Sequence, residues 1–146
     1  MAAAKSFRDL KVYQAAREAA GRVFVVSGHF PHEERYALTD QIRRSSRAVK
    51  AMLAEAWARR RYKAAFINAI DEALGEANET QSWLDDALDG AYLSKSDFQE
   101  RDNRYQAIGG MLSRMIDRAN DFCKHEPTTD YRSIPRVEEE SPFTDH

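Results

Sequence analysis

Residues 38–66 contain a concentration of arginine and lysine side chains whose chemistry suits the binding of phosphate groups. The only acidic residues among them are Asp40 and Glu55. A guanidinium group donates paired hydrogen bonds to phosphate oxygens, and cations along one element are typical of surfaces that bind the backbone of RNA or DNA. The candidate nucleic-acid-binding residues are Arg43, Arg44, Arg47, Lys50, Arg59, Arg60 and Arg61.

Helical periodicity places part of this cluster on one face. At 100° per residue, four of the cations fall within about 60° of one another, beside the apolar stripe of the same segment. We name these four the basic ridge: Arg43, Arg47, Lys50 and Arg61. Because like charges one helical turn apart repel each other, the basic ridge requires a negative partner.

The chain itself contains a second candidate for that partner. Residues 64–102 hold ten acidic residues against Lys95 and Arg101. Four of the acids share one side of their segment, Glu72, Glu76, Glu79 and Asp86, and the first three are named the acidic flank. Together with Glu55 they are candidates for charge pairing within or between subunits. Two interpretations therefore remain open, a phosphate-binding surface and a purely protein–protein assembly in which the acidic flank neutralises the basic ridge.

The other residues that are able to do chemistry form no recognised catalytic pattern. His29, His32 and Glu33 are close in sequence but lack further ligands for a metal ion nearby. The sequence contains neither a Gly-rich phosphate loop nor a G-x-S-x-G nucleophile motif. We therefore expect no catalytic residue, no cofactor and no metal site, and predict that the protein is not an enzyme.

Composition limits the architecture further. A chain of 146 residues with a hydrophobic share of 42% and a formal net charge of −2 suits one globular domain. The single cysteine, Cys123, has no partner for an intramolecular disulfide, and no run of residues is apolar for long enough to cross a membrane. We expect a cytoplasmic protein without a membrane partner.

Apolar residues recur at intervals of three and four over 7–27, 32–60, 62–89 and 95–124. This spacing predicts four long helices, with Phe24 on the buried stripe of the first and Gly28 as its left-handed terminus. Short connections between long helices favour an all-α, antiparallel up-down-up-down four-helix bundle over residues 1–124. Residues 125–146 contain proline and the acidic run Glu138–Glu140 without a periodic stripe, so we predict a flexible C-terminal tail.

Several fragments resemble the four-helix-bundle family of 23S rRNA intervening-sequence proteins. The likeness covers about residues 7–123 and depends on the order of several short elements. These elements lie in "FRDLKVYQ" (7–14), "FPHEERYALTDQIRRSS" (30–46), "LAEAWARRRYKAAF" (53–66) and "GEANETQSWLDDALDGAYL" (75–93).

The resemblance implies a bundle that assembles into a ring-like homopentamer. We predict that it works as a binding or scaffolding module. It also implies a relation to the accessory variability protein of diversity-generating retroelements, a basic pentameric bundle that binds nucleic acid and its reverse transcriptase. Gln41, Arg43 and Arg44 match one family element, and Glu55 matches another. Met52, Leu53 and Ala56 depart from the second element, where the family usually has asparagine, isoleucine and glycine.

Overall fold

The computed structural model describes residues 3–123. The helices within them are α1 (Lys11–Ser27), α2 (Leu38–Ala58), α3 (Lys63–Asp89), α4 (Lys95–Asp117) and the short α5 (Ala119–Phe122). Two 3₁₀ turns, Phe7–Asp9 and His32–Glu34, precede α1 and α2. The predicted all-α class is confirmed, whereas residues 125–146 of the predicted tail lie outside the described residues.

The four long helices pack in a closed ring of neighbours. α2 packs against α1 and α3, and α4 packs against α3 and α1, whereas among the described residues the backbones of the two diagonal pairs do not come within 8 Å of each other, measured between Cα atoms. Each helix therefore packs against the helix that precedes it in the chain, and α4 closes the ring against α1. The predicted antiparallel up-down-up-down four-helix bundle is confirmed.

The core of the bundle follows the apolar stripes of α2 and α3. Ile42, Val49 and Leu53 of α2 are fully buried, as are Phe66 and the other large residues of the α3 stripe. Burial of side chains of this size stabilises the fold by about 1.5–3 kcal/mol each. Ser45 of α2 and Thr80 of α3 share a buried hydrogen bond of 2.7 Å, which satisfies both hydroxyl groups inside the core.

Two helices begin later than their patterns predict. α1 starts at Lys11 and not at residue 7, because Ser6 and Asp9 form a capping box around the turn Phe7–Asp9. α2 starts at Leu38 and not at residue 32. The carboxylate of Glu34 accepts a hydrogen bond of 3.3 Å from the Leu38 N–H and so satisfies an amide in the first turn of α2.

The end of α1 differs from the prediction in two respects. Phe24 is 48% exposed, because Val23 and Val26 fill the core there. Gly28 has a right-handed backbone with φ −65°. A Cβ atom at Gly28 would lie 3.3 Å from the Val25 carbonyl and 3.7 Å from an Arg43 guanidinium nitrogen. Close packing therefore explains this glycine, and a left-handed conformation does not.

The chain reverses between α2 and α3 within Arg59–Tyr62, without proline or glycine. The Arg59 N–H donates to the carbonyls of Glu55 and Ala56, and the Tyr62 N–H donates to the Arg59 carbonyl. These bonds close the last turn of α2 and start α3 almost at once. The turn consequently presents three consecutive arginines at one end of the bundle.

The end of α3 contains a left-handed residue that is not glycine. Ala91 has φ 58°, and the Tyr92 and Ala91 N–H groups donate to the Ala87 and Leu88 carbonyls, the pattern of a Schellman motif. We expect Ala91→Gly to raise the free energy of unfolding by about 0.5–1 kcal/mol, because glycine relieves the steric cost of this conformation. Chemical denaturation measures the change.

The neighbouring glycine supplies the control for that substitution. A Cβ atom at Gly90 would lie 2.8 Å from the Tyr92 ring, so Gly90→Ala is expected to destabilise the protein. An Ala91→Gly variant that is no more stable than the parent would contradict the assignment of strain to Ala91.

Candidate nucleic-acid interface

Arg43 lies at the joint between α1 and α2. Its Nε donates to the Ser27 hydroxyl at 2.7 Å, its Nη2 donates to the Phe24 carbonyl at 3.1 Å, and the guanidinium carbon lies 4.1 Å from the centre of the Phe24 ring. A cation at the C-terminus of a helix is favourable because the terminal carbonyls carry partial negative charge. Arg43 therefore holds α1 to α2 and places one fixed positive charge at the surface.

Arg47 and Lys50 continue the basic ridge along α2. The guanidinium carbon of Arg47 lies 5.7 Å from the centre of the Phe24 ring, and Arg47 is exposed. Within residues 3–123, neither Arg47 nor Lys50 forms an ion pair. The charges of these two residues are consequently open to an external anion.

Arg44, one position away from Arg43, points toward α3, whereas Arg43 points toward α1. Its guanidinium donates to Glu76 at 3.3 Å and to Glu79, and its Nε donates to the Gln41 side chain at 3.3 Å. Glu72, the third member of the acidic flank, accepts a hydrogen bond from Asn68 instead. Arg44 is thus the residue of α2 that meets the acidic flank, and such exposed pairs contribute only about 0.2–1 kcal/mol each.

The three arginines of the turn differ from one another. Arg59 forms an ion pair of 2.7 Å with Glu55 one turn earlier. Arg60 lies flat on Trp57, with its guanidinium carbon 3.5 Å from the ring centre, and donates to the Trp57 carbonyl at 2.8 Å. Arg61 is exposed and, like Arg60, forms no ion pair with any residue from 3 to 123. Two of the three turn arginines therefore remain available to an anion.

The predicted site residues thus separate into two groups. The structure places the Arg44 and Arg59 charges against carboxylates. The charges without a carboxylate partner in the described part of the chain belong to Arg43, Arg47, Lys50, Arg60 and Arg61.

A charge network between α1 and α4 was not predicted from the sequence. Arg104 donates to Glu100 and lies 3.4 Å from Glu18, and Arg22 lies 3.6 Å from Glu100. Arg101 is buried and donates to Glu100 at 3.1 Å. Its position between Phe98 and Tyr105 on the core stripe is the sequence signal that identifies it. The network closes the ring of helices on the side away from the acidic flank.

Glu100 gives this network a dependence on pH. Burial acts to raise the pKa of Glu100, but the hydrogen bond and charge of Arg104, with the charges of Arg22 and Arg101, lower it below its ordinary value. Glu100 therefore contributes stability above its unfolded-state pKa of about 4.3, and this contribution is lost as the pH falls through the folded-state pKa.

We expect the Glu100→Gln variant to lose less stability between pH 6 and pH 3 than the parent protein. The two losses in free energy of unfolding are expected to differ by only about 0.5 kcal/mol, because the Glu100 side chain is partly exposed and solvent weakens its ion pairs. Denaturant titration at several pH values measures it. Asp85→Asn is the control, since Asp85 is exposed and forms no ion pair in residues 3–123. If the Glu100→Gln variant and the parent lost the same free energy of unfolding between pH 6 and pH 3, the role of Glu100 in the pH dependence would be contradicted.

Two further properties of the described residues bear on the kind of site. No cluster of three or more His, Cys, Asp or Glu side chains within residues 3–123 is arranged to hold a metal ion. In the same part of the chain, no helix is both long enough and apolar enough to cross a membrane.

The geometry defines a four-helix bundle whose candidate site is a charged surface along α2 and the turn that follows it. Because α2 ends at Ala58, Arg61 lies in that turn, and the prediction that it shares a helical face with Arg43, Arg47 and Lys50 is wrong. The chain belongs to the 23S rRNA-intervening sequence protein family, whose model matches residues 8–114. It is similar to the crystal structure of a protein with unknown function from the S23 ribosomal protein family of Bacteroides thetaiotaomicron VPI-5482, with 28% sequence identity and a TM-score of 0.66. That similarity covers 72% of this chain and 97% of the other. A comparison with curated proteins finds no match.

The structure gives physical roles to the short elements through which the sequence resembles this family. Phe30 packs against Tyr92, with ring centres 5.8 Å apart, and the Tyr92 hydroxyl donates to Glu34 at 2.8 Å. The connection before α2 is thereby fixed to the connection after α3. Met52 and Glu55 line a groove of about 230 Å³ between α2 and α3.

Proposed function

We propose that this protein is a non-enzymatic, cytoplasmic, homo-oligomeric bundle that binds the sugar–phosphate backbone of RNA or DNA. The binding surface consists of the basic ridge together with Arg60. We expect Arg44 and Arg59 to contribute less to binding, because carboxylates already neutralise their charges. The protein works as a binding or scaffolding module.

The main support for the proposal is that some cations of α2 are paired with carboxylates and others are not. The acidic flank is engaged by Arg44, whereas Arg47 lies beside Phe24 of α1, and neither Arg47 nor Lys50 forms an ion pair in residues 3–123. A cation that served only to hold α2 against α3 would lie on the Arg44 side. The basic ridge therefore has a charge that the described part of the chain does not neutralise, and a polyanion supplies the complementary charge.

The dimensions of the surface suit a nucleic-acid backbone. Arg43 and Lys50 are seven residues apart on α2, which is about 10 Å along the helix axis and about three base-pair steps of a duplex. The fixed guanidinium of Arg43 lies at one end of this row. At the other end, Tyr62 is 53% exposed, and its ring is accessible for stacking on an unpaired base.

The proposal also includes the relation, implied by the sequence resemblance, to the accessory variability protein of diversity-generating retroelements. That protein is a pentameric bundle that binds nucleic acid and its reverse transcriptase. We extend the proposal to a homopentamer of this chain, in which several copies of the basic ridge contact one nucleic acid. A reverse transcriptase is the corresponding candidate protein partner.

Binding of a labelled RNA hairpin and a labelled DNA duplex in about 50 mM salt tests the proposal. Backbone contacts carry little sequence information, so we expect both ligands to bind, and with similar affinity for unrelated sequences. Non-specific binding of this kind has a dissociation constant of about 1–100 μM at physiological salt and is tighter at 50 mM. Failure of both ligands to bind would contradict the proposal.

A protein–protein assembly without a nucleic-acid ligand is the second candidate function. Phe24 and Val25 favour it, since they are 48% and 61% exposed on adjacent positions of α1. In such an assembly, Phe24→Ser with Val25→Ser dissociates the oligomer seen by light scattering. The absence of any RNA or DNA binding by an intact oligomer is the result that favours this candidate over the first.

A further inference from the structure

The end of the described chain lies beside a concentration of positive charge. Phe122 of α5 stacks on Phe66 of α3, with ring centres 5.8 Å apart, and this contact fixes α5 against the start of α3. Burial raises the pKa of the Cys123 thiol, and the charges of Lys63 and Arg60 oppose that rise, which places both cations near Cys123.

These cations belong to what we name the cationic corner, which consists of Arg60, Arg61 and Lys63. None of its members forms an ion pair with another described residue. Arg60 is held over the Trp57 ring, and Arg61 and Lys63 are exposed. The cationic corner is therefore an accessible positive surface that an anionic segment can bind.

The sequence that continues from this point has the opposite charge. Residues 3–123 contain 19 Lys and Arg against 18 Asp and Glu, whereas residues 124–146 contain three Lys and Arg against six Asp and Glu. Three of these acids are consecutive, Glu138–Glu140. They begin 15 residues beyond Cys123, and such a length of chain spans at most about 50 Å. The acidic run is thus within reach of the cationic corner of its own chain.

We propose that Glu138–Glu140 bind the cationic corner of the same chain and compete there with the phosphates of a nucleic acid. A tethered segment has an effective concentration on the order of millimolar, so a weak electrostatic contact is enough to occupy the surface. The proposed competition rests on the proposed function, because it requires that the protein binds nucleic acid. The contact between Glu138–Glu140 and the cationic corner does not require this. Residues 124–146 lie beyond the family match at 8–114, so membership of the family does not by itself imply this contact.

Zero-length carbodiimide crosslinking of the full chain tests the contact. Lys63 is expected to form amide crosslinks to Glu138–Glu140 that mass spectrometry detects. Lys11 is the matched control, because it is exposed and lines a cavity together with Phe122, so it also lies near the point from which residues 124–146 continue. Equal crosslinking of Lys63 and Lys11 would overturn the proposal. In a mixture of ¹⁵N-labelled and unlabelled protein, crosslinks that join different chains would overturn its assignment to the same chain.

Nucleic-acid affinity tests the competition separately. The full-length variant with Glu138→Gln, Glu139→Gln and Glu140→Gln is expected to bind a DNA duplex about tenfold more tightly than the parent in 50 mM salt. A variant with Asp85→Asn, Asp86→Asn and Asp89→Asn removes the same charge from α3 and controls for net charge.

The two readouts keep this proposal distinct from the proposed function. Equal tightening in the glutamine and asparagine variants would overturn the competition and leave nucleic-acid binding intact. A preferred Lys63 crosslink in a protein that binds no duplex would support the contact, although the proposed function would then be wrong.

Discussion

Replacement of Arg47 and Lys50 together by alanine is expected to weaken binding to a DNA or RNA duplex on the order of 30-fold in low salt. Each cation that contacts a phosphate contributes roughly 1 kcal/mol, and its removal makes the salt dependence shallower by about one unit. Arg47 is exposed, and neither residue forms an ion pair within residues 3–123. The loss therefore reflects the ligand and not the fold. Fluorescence anisotropy across a salt series measures both quantities.

The variant with Arg44→Ala and Arg59→Ala supplies the matched control, because it also removes two charges, and carboxylates already neutralise both of them. A twofold change or less is expected for this control. Equal losses in the two double variants would show that only net charge matters. Unchanged binding in the variant with Arg47→Ala and Lys50→Ala would show that the basic ridge is not part of the interface. We exclude Arg43 from the test because it also holds α1 through Ser27 and Phe24.

Phe66→Ala is expected to lower the free energy of unfolding by about 3–5 kcal/mol, the cost of a large cavity in a closely packed core. Phe66 is fully buried at the start of α3 and stacks on Phe122, so the substitution removes core packing and the anchor of α5 together. A loss of this size is a large part of the stability of a small domain. Urea or thermal denaturation followed by circular dichroism measures it.

Tyr62→Ala is the control for that substitution. Tyr62 is aromatic and lies four residues before Phe66, but it is 53% exposed. We expect its replacement to change stability by less than about 0.5 kcal/mol. Similar effects of the two substitutions would contradict the assignment of Phe66 to the core and Tyr62 to the surface.

The apolar spacing predicts most of the bundle because α2 and α3 each bury one regular stripe. Every residue from Leu38 to Ala56 on the predicted stripe of α2 is buried. The pattern of α1 is less informative, since alanines and valines surround Phe24 on several faces. Helical period alone does not decide which of these residues fills the core. Packing against α2 and α4 selects Val23 and Val26 and leaves Phe24 exposed beneath Arg43.

The charge pattern predicts the candidate site less completely than the apolar pattern predicts the fold. A wheel separates Arg43 from Arg44 by 100°, but it does not show which neighbouring helix lies on each side. The structure shows that the Arg44 side faces α3 and that the Arg43 side faces α1. Arg101 was missed for a related reason. Both of its acidic partners, Asp97 and Glu100, lie on its own helix, where pairs of opposite charge close in sequence are common and seldom indicate burial.

The salt dependence of duplex binding by the unmodified protein tests the central claim most directly. Contacts from Arg43, Arg47, Lys50, Arg60 and Arg61 predict a slope of log K against log salt between about −3 and −5 for each subunit engaged. Such a slope shows that several phosphates are neutralised at once, as a surface of unpaired cations requires. A slope near zero, or no binding in 50 mM salt, would contradict the claim that these cations form a nucleic-acid interface.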